Sequence, residues 1–205
     1  MHDDQLKETF LQSEEIYQGA VIHVQKWQVA LPDGRQAARE IVLHLGAAAV
    51  VPVDEQGRVT LVRQHRVAIG EYTWEIPAGK LDYAGEDPLG CAKRELEEEA
   101  GLRANKWQKL THAITTPGFC TERIALYLAT ELTPCESHPD QDEFLHLTTM
   151  PLSEAAAYVM DGKITDMKTC LGILMAQNIL SQGLTPAMDR VMQSANRHRA
   201  QGRSI

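Results

Sequence analysis

No apolar stretch in the 205-residue chain approaches 18 residues, so the sequence offers nothing to span a membrane. None of its four cysteines, Cys91, Cys120, Cys135 and Cys170, forms a C-x-x-C pair, and Met1–Phe10 lacks the pattern of a secretory leader. The cysteines therefore read as free thiols in a reducing compartment, and the cytoplasm is the expected location. Basic residues are in short supply: 20 Lys and Arg against 28 Asp and Glu leave a net charge of −8. Such a surface repels a nucleic-acid backbone, so no nucleic-acid partner is expected. A small anionic substrate can still bind, provided a metal ion supplies the positive charge. The eight histidines include no H-E-x-x-H and no paired spacing, which leaves a zinc site unsupported. The phosphate-binding patterns G-x-x-x-x-G-K-[ST] and G-x-G-x-x-G are both missing, and neither a repeat nor a low-complexity tract is visible. What remains is close to a globular average, 43% hydrophobic and 23% charged, in a length that suits one domain or one domain with a short addition.

Turn signals divide the chain. Residues 1–15 are polar and acidic and read as frayed or weakly helical. Gly19–Leu31 is rich in Val, Ile and Trp, Pro32-Asp33-Gly34 is a turn, and Arg35–Leu45 returns, which predicts a β-hairpin over 18–45. Ala47–Val53 and Val59–Val62, joined by Asp54-Glu55-Gln56-Gly57, predict a second hairpin. Trp107–Ile114, Ile124–Thr130 and Phe144–Thr148 are strand candidates, with a polar, acidic loop over 131–143. Helices are expected at Leu152–Met160 and Asp166–Leu180, and Thr185-Pro186 opens a last one carrying Met188, Val191, Met192 and Ala195 on one face. Strands dominate the middle and helices are interspersed or late, so the class is α+β rather than a regular βα alternation.

One helix breaks local rules. Asp87 can cap it, Pro88 suits its first turn and Gly101 suits the left-handed position past its end. Leu89, Ala92, Leu96 and Ala100 make a core face. On the other side Glu95, Glu98 and Glu99 stand at i, i+3 and i+4, with Glu97 a fourth acid. Each like-charge pair costs roughly 0.2–0.5 kcal/mol. The negative end of the macrodipole adds about 0.3–1 kcal/mol per carboxylate. A solvated acidic face is the common reason for such a run. A bound divalent cation is the other, since carboxylates one turn apart can reach a single ion.

The spacing favours the cation. Glu86, seven residues, Arg94-Glu95-Leu96, one residue, Glu98-Glu99, one residue, Gly101-Leu102 resembles the Nudix box, G-x5-E-x7-R-E-U-x-E-E-x-G-U with U aliphatic. One departure is present: the box glycine belongs at Lys80, whereas the sequence has Gly79, so one extra residue lies between glycine and Glu86. The resemblance extends over roughly 13–182. Val62-Arg63-Gln64-His65-Arg66, Glu75-Ile76-Pro77-Ala78-Gly79 and Thr116-Pro117-Gly118-Phe119 look like the ADP-ribose pyrophosphatase branch, which carries a proline sixteen residues past the box, as Pro117 follows Gly101 here.

That resemblance implies an α/β/α sandwich with a mixed sheet, an N-terminal β-arm (residues 1–45) that joins two subunits into a homodimer, a hydrolase domain over 46–182 and a helical tail over 183–205. It implies Mg²⁺, or Mn²⁺, held by Glu95, Glu98, Glu99 and the Ala78 carbonyl, with Gly79, Glu86, Arg94 and Gly101 structural. The general base is expected at Glu143, with Asp142 and Glu98 as alternatives. Arg66 resembles an arginine that contacts the diphosphate or terminal ribose, Arg39 and Glu40 match positions near the base, and Pro117, Gly118 and Phe119 would wall the terminal sugar. Trp27, Trp74 and Trp107 are expected in core or interface. The implied reaction is hydrolysis of ADP-ribose to AMP and ribose 5-phosphate. Hydrolysis of another nucleotide sugar or dinucleotide, such as GDP-mannose or NADH, is the alternative, because the box serves the diphosphate they share. A non-catalytic sensor of a nucleotide sugar is disfavoured by the intact glutamates and by a tail too short for a helix-turn-helix domain.

Overall fold

The computed structural model describes residues 3–138 and 144–182. The fold has three sheets, three α-helices and a short 3-10 helix at Asp3–Leu6 in those residues. The first sheet is the arm, with β1 (Thr9–Gln18), β2 (His23–Ala30) and β3 (Gln36–Leu43) antiparallel in that order. The predicted hairpin is its β2–β3 half. Leu31 N–H donates to the Arg35 carbonyl at 2.7 Å, and Gly34 takes φ +85°, a conformation that costs a residue without a Cβ little. The expectation of a weakly helical start is met by a 3-10 turn at Asp3–Leu6 but overturned from Thr9, because Thr9–Gln18 is a full strand. It shows no burial period since all ten residues are exposed in one chain, and pairing with β2 alone makes it a strand. The expected last helix, from Thr185, lies outside the described residues.

The second predicted hairpin is also corrected. Its turn is real: Asp54 accepts backbone bonds from Gln56 and Arg58, and Val53 bridges Val59. Beyond that bridge the strands part into different sheets. β4 (Ala47–Pro52) lies in the order β7-β4-β9-β8, with β7 (Ala78–Lys80), β8 (Leu102–Ile114) and β9 (Arg123–Pro134). β5 (Arg58–Arg66) instead lies between β10 (His146–Pro151) and β6 (Glu71–Glu75). β4 runs parallel to β9 and antiparallel to β7, so the central sheet is mixed.

All six residues of β4 are buried, which explains its unbroken apolar run. Ala48 and Val50 pack toward α1 (Pro88–Ala100), with Cys91, Ala92, Leu96 and Ala100. Ala49 and Val51 pack on the opposite side with Leu61, Ile76, Ala155 and Ile173. That second layer holds the β5 sheet, α2 (Leu152–Met160) and α3 (Met167–Ser181). The result is the expected α+β sandwich with helices on both faces of a mixed sheet.

α3 comes close to the sheet through Gly172, where a Cβ would lie 2.9 Å from Val51 Cγ2 and 3.1 Å from Ile76 Cδ1. Both neighbours are β-branched and held in strand backbone or its continuation, so they yield little. Gly172→Val is expected to destabilise the fold by about 1–3 kcal/mol through overpacking. Urea unfolding at neutral pH measures this, and an unchanged midpoint would contradict the packing described here.

Candidate active site

α1 begins and ends as its sequence dictates. The Asp87 side chain accepts the Leu89 N–H, Pro88 is its first residue, and Gly101 takes φ +61°, ψ +36° with its N–H on the Glu97 carbonyl. This fixes the helix register, so Leu96 enters the core while Glu95 and Glu99 turn toward β7. Both carboxylates are buried, at 8% and 5% residual exposure. Glu99 Oε2 accepts the Ala78 N–H at 2.9 Å. Glu95 lies directly against Gly79, where a Cβ would stand 1.9 Å from Oε1. Gly79, not Lys80, is thus the residue that must lack a side chain, and the extra residue relative to the box spacing lies between it and α1.

Arg94 organises the acids. Its Nη1 donates to Glu95 Oε1 at 2.6 Å and Glu98 Oε2 at 3.0 Å, and its Nη2 donates to the Lys80 carbonyl at 3.3 Å. Asp82 and Glu86 stand farther off, at 3.5 and 3.9 Å. Glu86 binds its own loop, accepting the Asp82 N–H at 2.6 Å. Burial works against the Arg94 charge, but Glu95 and its neighbours outweigh burial and raise the pKa. The cysteine beneath, Cys91, is pushed up to about 12 by burial and by Glu95, so it stays a neutral thiol.

Glu95 and Glu98 open onto a cleft of about 1200 Å³. The arm supplies one side through the β1–β2 turn, Gly19 to Ile22, and the central sheet supplies Ala47, Ala78, Gly79 and Ile124. His44 and Glu122 face each other at 3.5 Å on another wall, with His44 Nδ1 accepting the Gly46 N–H at 3.0 Å. The remaining wall carries Arg66, Asp166 and Lys168. Here Glu75, 2% exposed, receives Arg66 through two bonds of 2.7 Å and Lys168 through one of 2.5 Å.

Other expected residues fall differently. Arg39 and Glu40 lie on β3 in the arm, where Arg39 binds Glu8 rather than facing this cleft. Pro117, Gly118 and Phe119 form the loop between β8 and β9, and the Phe119 carbonyl accepts the Val42 N–H of the arm at 2.7 Å. The cleft wall there is built from Thr115, Thr116 and Thr121. Glu143 and Asp142 lie outside the described residues. The chain leading to them starts beside the acidic helix, with Ser137 Oγ donating to the Glu98 carbonyl at 2.7 Å. Glu75, Lys168, His44 and Glu122 were not singled out from the sequence. Glu75 opens the Glu75–Gly79 segment that resembles the pyrophosphatase branch, but Lys168 meets it from 93 residues away, which no local pattern reveals.

Among the described residues no group of three or more His, Cys, Asp and Glu side chains is gathered tightly enough to hold a metal by itself. The donors still suit a hard cation: carboxylates on one helix face, a backbone carbonyl at Ala78, and a glycine that lets Glu95 approach the strand.

The NUDIX domain model matches residues 43–167 of the chain. The chain belongs to the Nudix family. Its Nudix region also aligns with curated relatives. An ADP-ribose pyrophosphatase of Mycobacterium tuberculosis is 40% identical over 80% of each chain. An ADP-ribose pyrophosphatase of Bacillus subtilis is 40% identical over 84% of this chain and 94% of its own. The crystal structure of an ADP compounds hydrolase matches the Nudix fold seen here with a TM-score of 0.75 at 22% identity, covering 86% of this chain and 96% of that one.

The Glu75 cluster predicts a pH dependence. Burial opposes its ionisation most strongly, yet the Arg66 bonds and the Lys168 charge prevail and lower its pKa to about 2. A depressed folded-state pKa contributes stability that is complete above the unfolded value near 4.5 and lost as pH falls toward 2, about 3 kcal/mol in all. Urea midpoints between pH 7 and 2.5 should fall more steeply for the wild type than for Glu75→Gln. Parallel curves would remove Glu75 as a source of acid sensitivity.

Proposed function

We propose that this Nudix enzyme hydrolyses the diphosphate of ADP-ribose to AMP and ribose 5-phosphate in a magnesium-dependent reaction, with manganese as a substitute cation. The observation that carries the reading is the intact acidic face of α1, with Glu95 and Glu99 buried and Glu95 and Glu98 lining a cleft large enough for a nucleotide sugar. The two relatives named for ADP-ribose at 40% identity favour this substrate over GDP-mannose or NADH.

Glu95, Glu98, Glu99 and the Ala78 carbonyl would hold the metal, and Gly79 keeps Glu95 seated against β7. When bound, a divalent cation neutralises the diphosphate and lowers the pKa of a water. Arg94 holds Glu95 and Glu98 in alignment through the bonds of its Nη1. Glu143 takes the proton of the attacking water, with Asp142 and Glu98 as the other candidates. Arg66 meets anionic oxygen of the substrate, and the 117–119 loop backs the sugar end through its neighbours Thr115, Thr116 and Thr121. Arg39 and Glu40, remote from the cleft of their own chain, are assigned to the base across a dimer. Residues 1–45 form the dimerisation arm, 46–182 the hydrolase domain and 183–205 a tail. Exposed Phe10, Leu11, Ile16 and Tyr17 on β1 favour the dimer. No helix of the described residues is long and apolar enough to cross a membrane. The cytoplasm, with its reduced thiols, suits the enzyme.

AMP release from ADP-ribose with Mg²⁺, run beside GDP-mannose, tests the substrate. ADP-ribose should be preferred, and Glu99→Gln should abolish the activity. Better cleavage of GDP-mannose would keep the chemistry and discard the substrate. Tight binding without cleavage would point to a sensor. Gly79→Ala should lower kcat by about a hundredfold by displacing Glu95, and should lower the melting temperature as well. Sedimentation should give twice 22.8 kDa, and a fully active monomer would refute the arm's role.

A further inference from the structure

Glu75 is a carboxylate with every position filled. Oε1 accepts Arg66 Nε at 2.7 Å and Thr73 Oγ1 at 2.6 Å, while Oε2 accepts Arg66 Nη2 at 2.7 Å and Lys168 Nζ at 2.5 Å. Four bonds saturate its lone pairs, and one bidentate arginine already neutralises its charge. Lys168 is thus a second cation beyond what Glu75 needs. Its other carboxylate neighbour, Asp166, caps α3, accepting Thr169 N–H at 3.0 Å and Thr169 Oγ1 at 2.5 Å besides Lys168 at 3.1 Å. A carboxylate at a helix N-terminus is compensated by the amides and dipole there.

The network holds the lysine in one place. Thr169 Oγ1 also accepts the Ile76 N–H at 2.9 Å, which pins the start of α3 to the chain just after Glu75. The Lys168 side chain is only 13% exposed, against 46% for Arg66, yet both line the cleft. Two of the three ammonium protons are spent on Glu75 and Asp166, which leaves one donor for a ligand. On the arginine, Glu75 takes Nε and Nη2 and leaves Nη1 unengaged by it. A lysine ordered in advance loses little side-chain entropy on binding.

We infer that Lys168 is a substrate-binding residue of the cleft, paired with Arg66 by Glu75 into a two-cation clamp for phosphate oxygens. Glu75 is its positioning residue. The inference rests on the diphosphate-hydrolase reading for its substrate, while the clamp itself is defined by the Glu75 network. The clamp offers the anionic end of the substrate the remaining donors of Arg66 and Lys168, beside Asp166 on the same wall.

Magnesium pyrophosphate binding to the full chain, followed by calorimetry, tests the clamp without turnover. Lys168→Met should weaken binding by roughly ten- to a hundredfold, the loss of one charge-assisted bond. Lys168→Arg should recover most of it. With ADP-ribose, Lys168→Met should raise KM by a similar factor and leave kcat within about threefold. A residue that only braces the fold would lower the melting temperature and leave the affinity of the folded protein unchanged. If Lys168→Met does not fold, Lys168→Gln takes its place. Wild-type affinity in the folded variant, or no pyrophosphate binding by the wild type, overturns the inference. Pyrophosphate binding that depends on Lys168 in a wild type inactive on ADP-ribose would retain the clamp and discard the substrate.

Discussion

The carboxylate of Glu95 lies so close to Gly79 that no side chain fits between them. Much of the site depends on that approach. It sets the distance between α1 and β7, and the Glu99 bond to the Ala78 N–H fixes the same pair of elements one helical turn farther on. β7 is only three residues long and pairs with β4 alone, so side chains from α1 hold it as much as the sheet does. Together the two contacts point the acidic face of the helix at the cleft. They also place the Ala78 backbone beside the same carboxylates.

Such an arrangement is locally unfavourable. Glu95 and Glu99 are buried in the last turns of a helix whose final turn has no basic residue. Isolated, each would suffer both the macrodipole and the loss of water. Arg94 and the Ala78 amide supply part of the compensation, and the packed core behind Leu96 holds the helix in place. Leu96 and Ala100 cannot leave the sheet without carrying the glutamates out of the cleft. The core face of α1 thus constrains the acids that the same helix would otherwise reject. Local rules fail on one side of the helix because global packing succeeds on the other.

Where one element carried its own signals, the sequence was readable. Asp87, Pro88 and Gly101 bounded α1 closely, and the apolar run of β4 matched a strand buried on both faces. Pairing between distant segments was harder to see. β1 has no buried face, so its ten residues gave no period, and β4 and β5 looked like one hairpin because their turn is a true turn. The alternation of a strand does not say which sheet it joins. The same limit applied to the site. The glutamates at i, i+3 and i+4 were legible because one helix carries them all. Lys168 and Glu75, or His44 and Glu122, meet only when separate elements converge. Gly79 lay between these cases: its glycine was visible, but only the contact with Glu95 explains the one-residue offset.

The cleft divides its charges by element. α1 brings Glu95 and Glu98, with Arg94 woven among them, whereas β5 and α3 bring Arg66 and Lys168 on another wall. A chain of net charge −8 gains nothing from its overall field in attracting an anion. The attraction must be local, and low-dielectric walls strengthen it there. Glu75 makes this possible because it is buried and saturated. It holds two cations in place while exposing almost no negative charge of its own to the ligand. Asp166, the other carboxylate on that wall, is compensated instead by the start of α3 that it caps. One cleft thus accommodates acids suited to a cation beside bases suited to an anion.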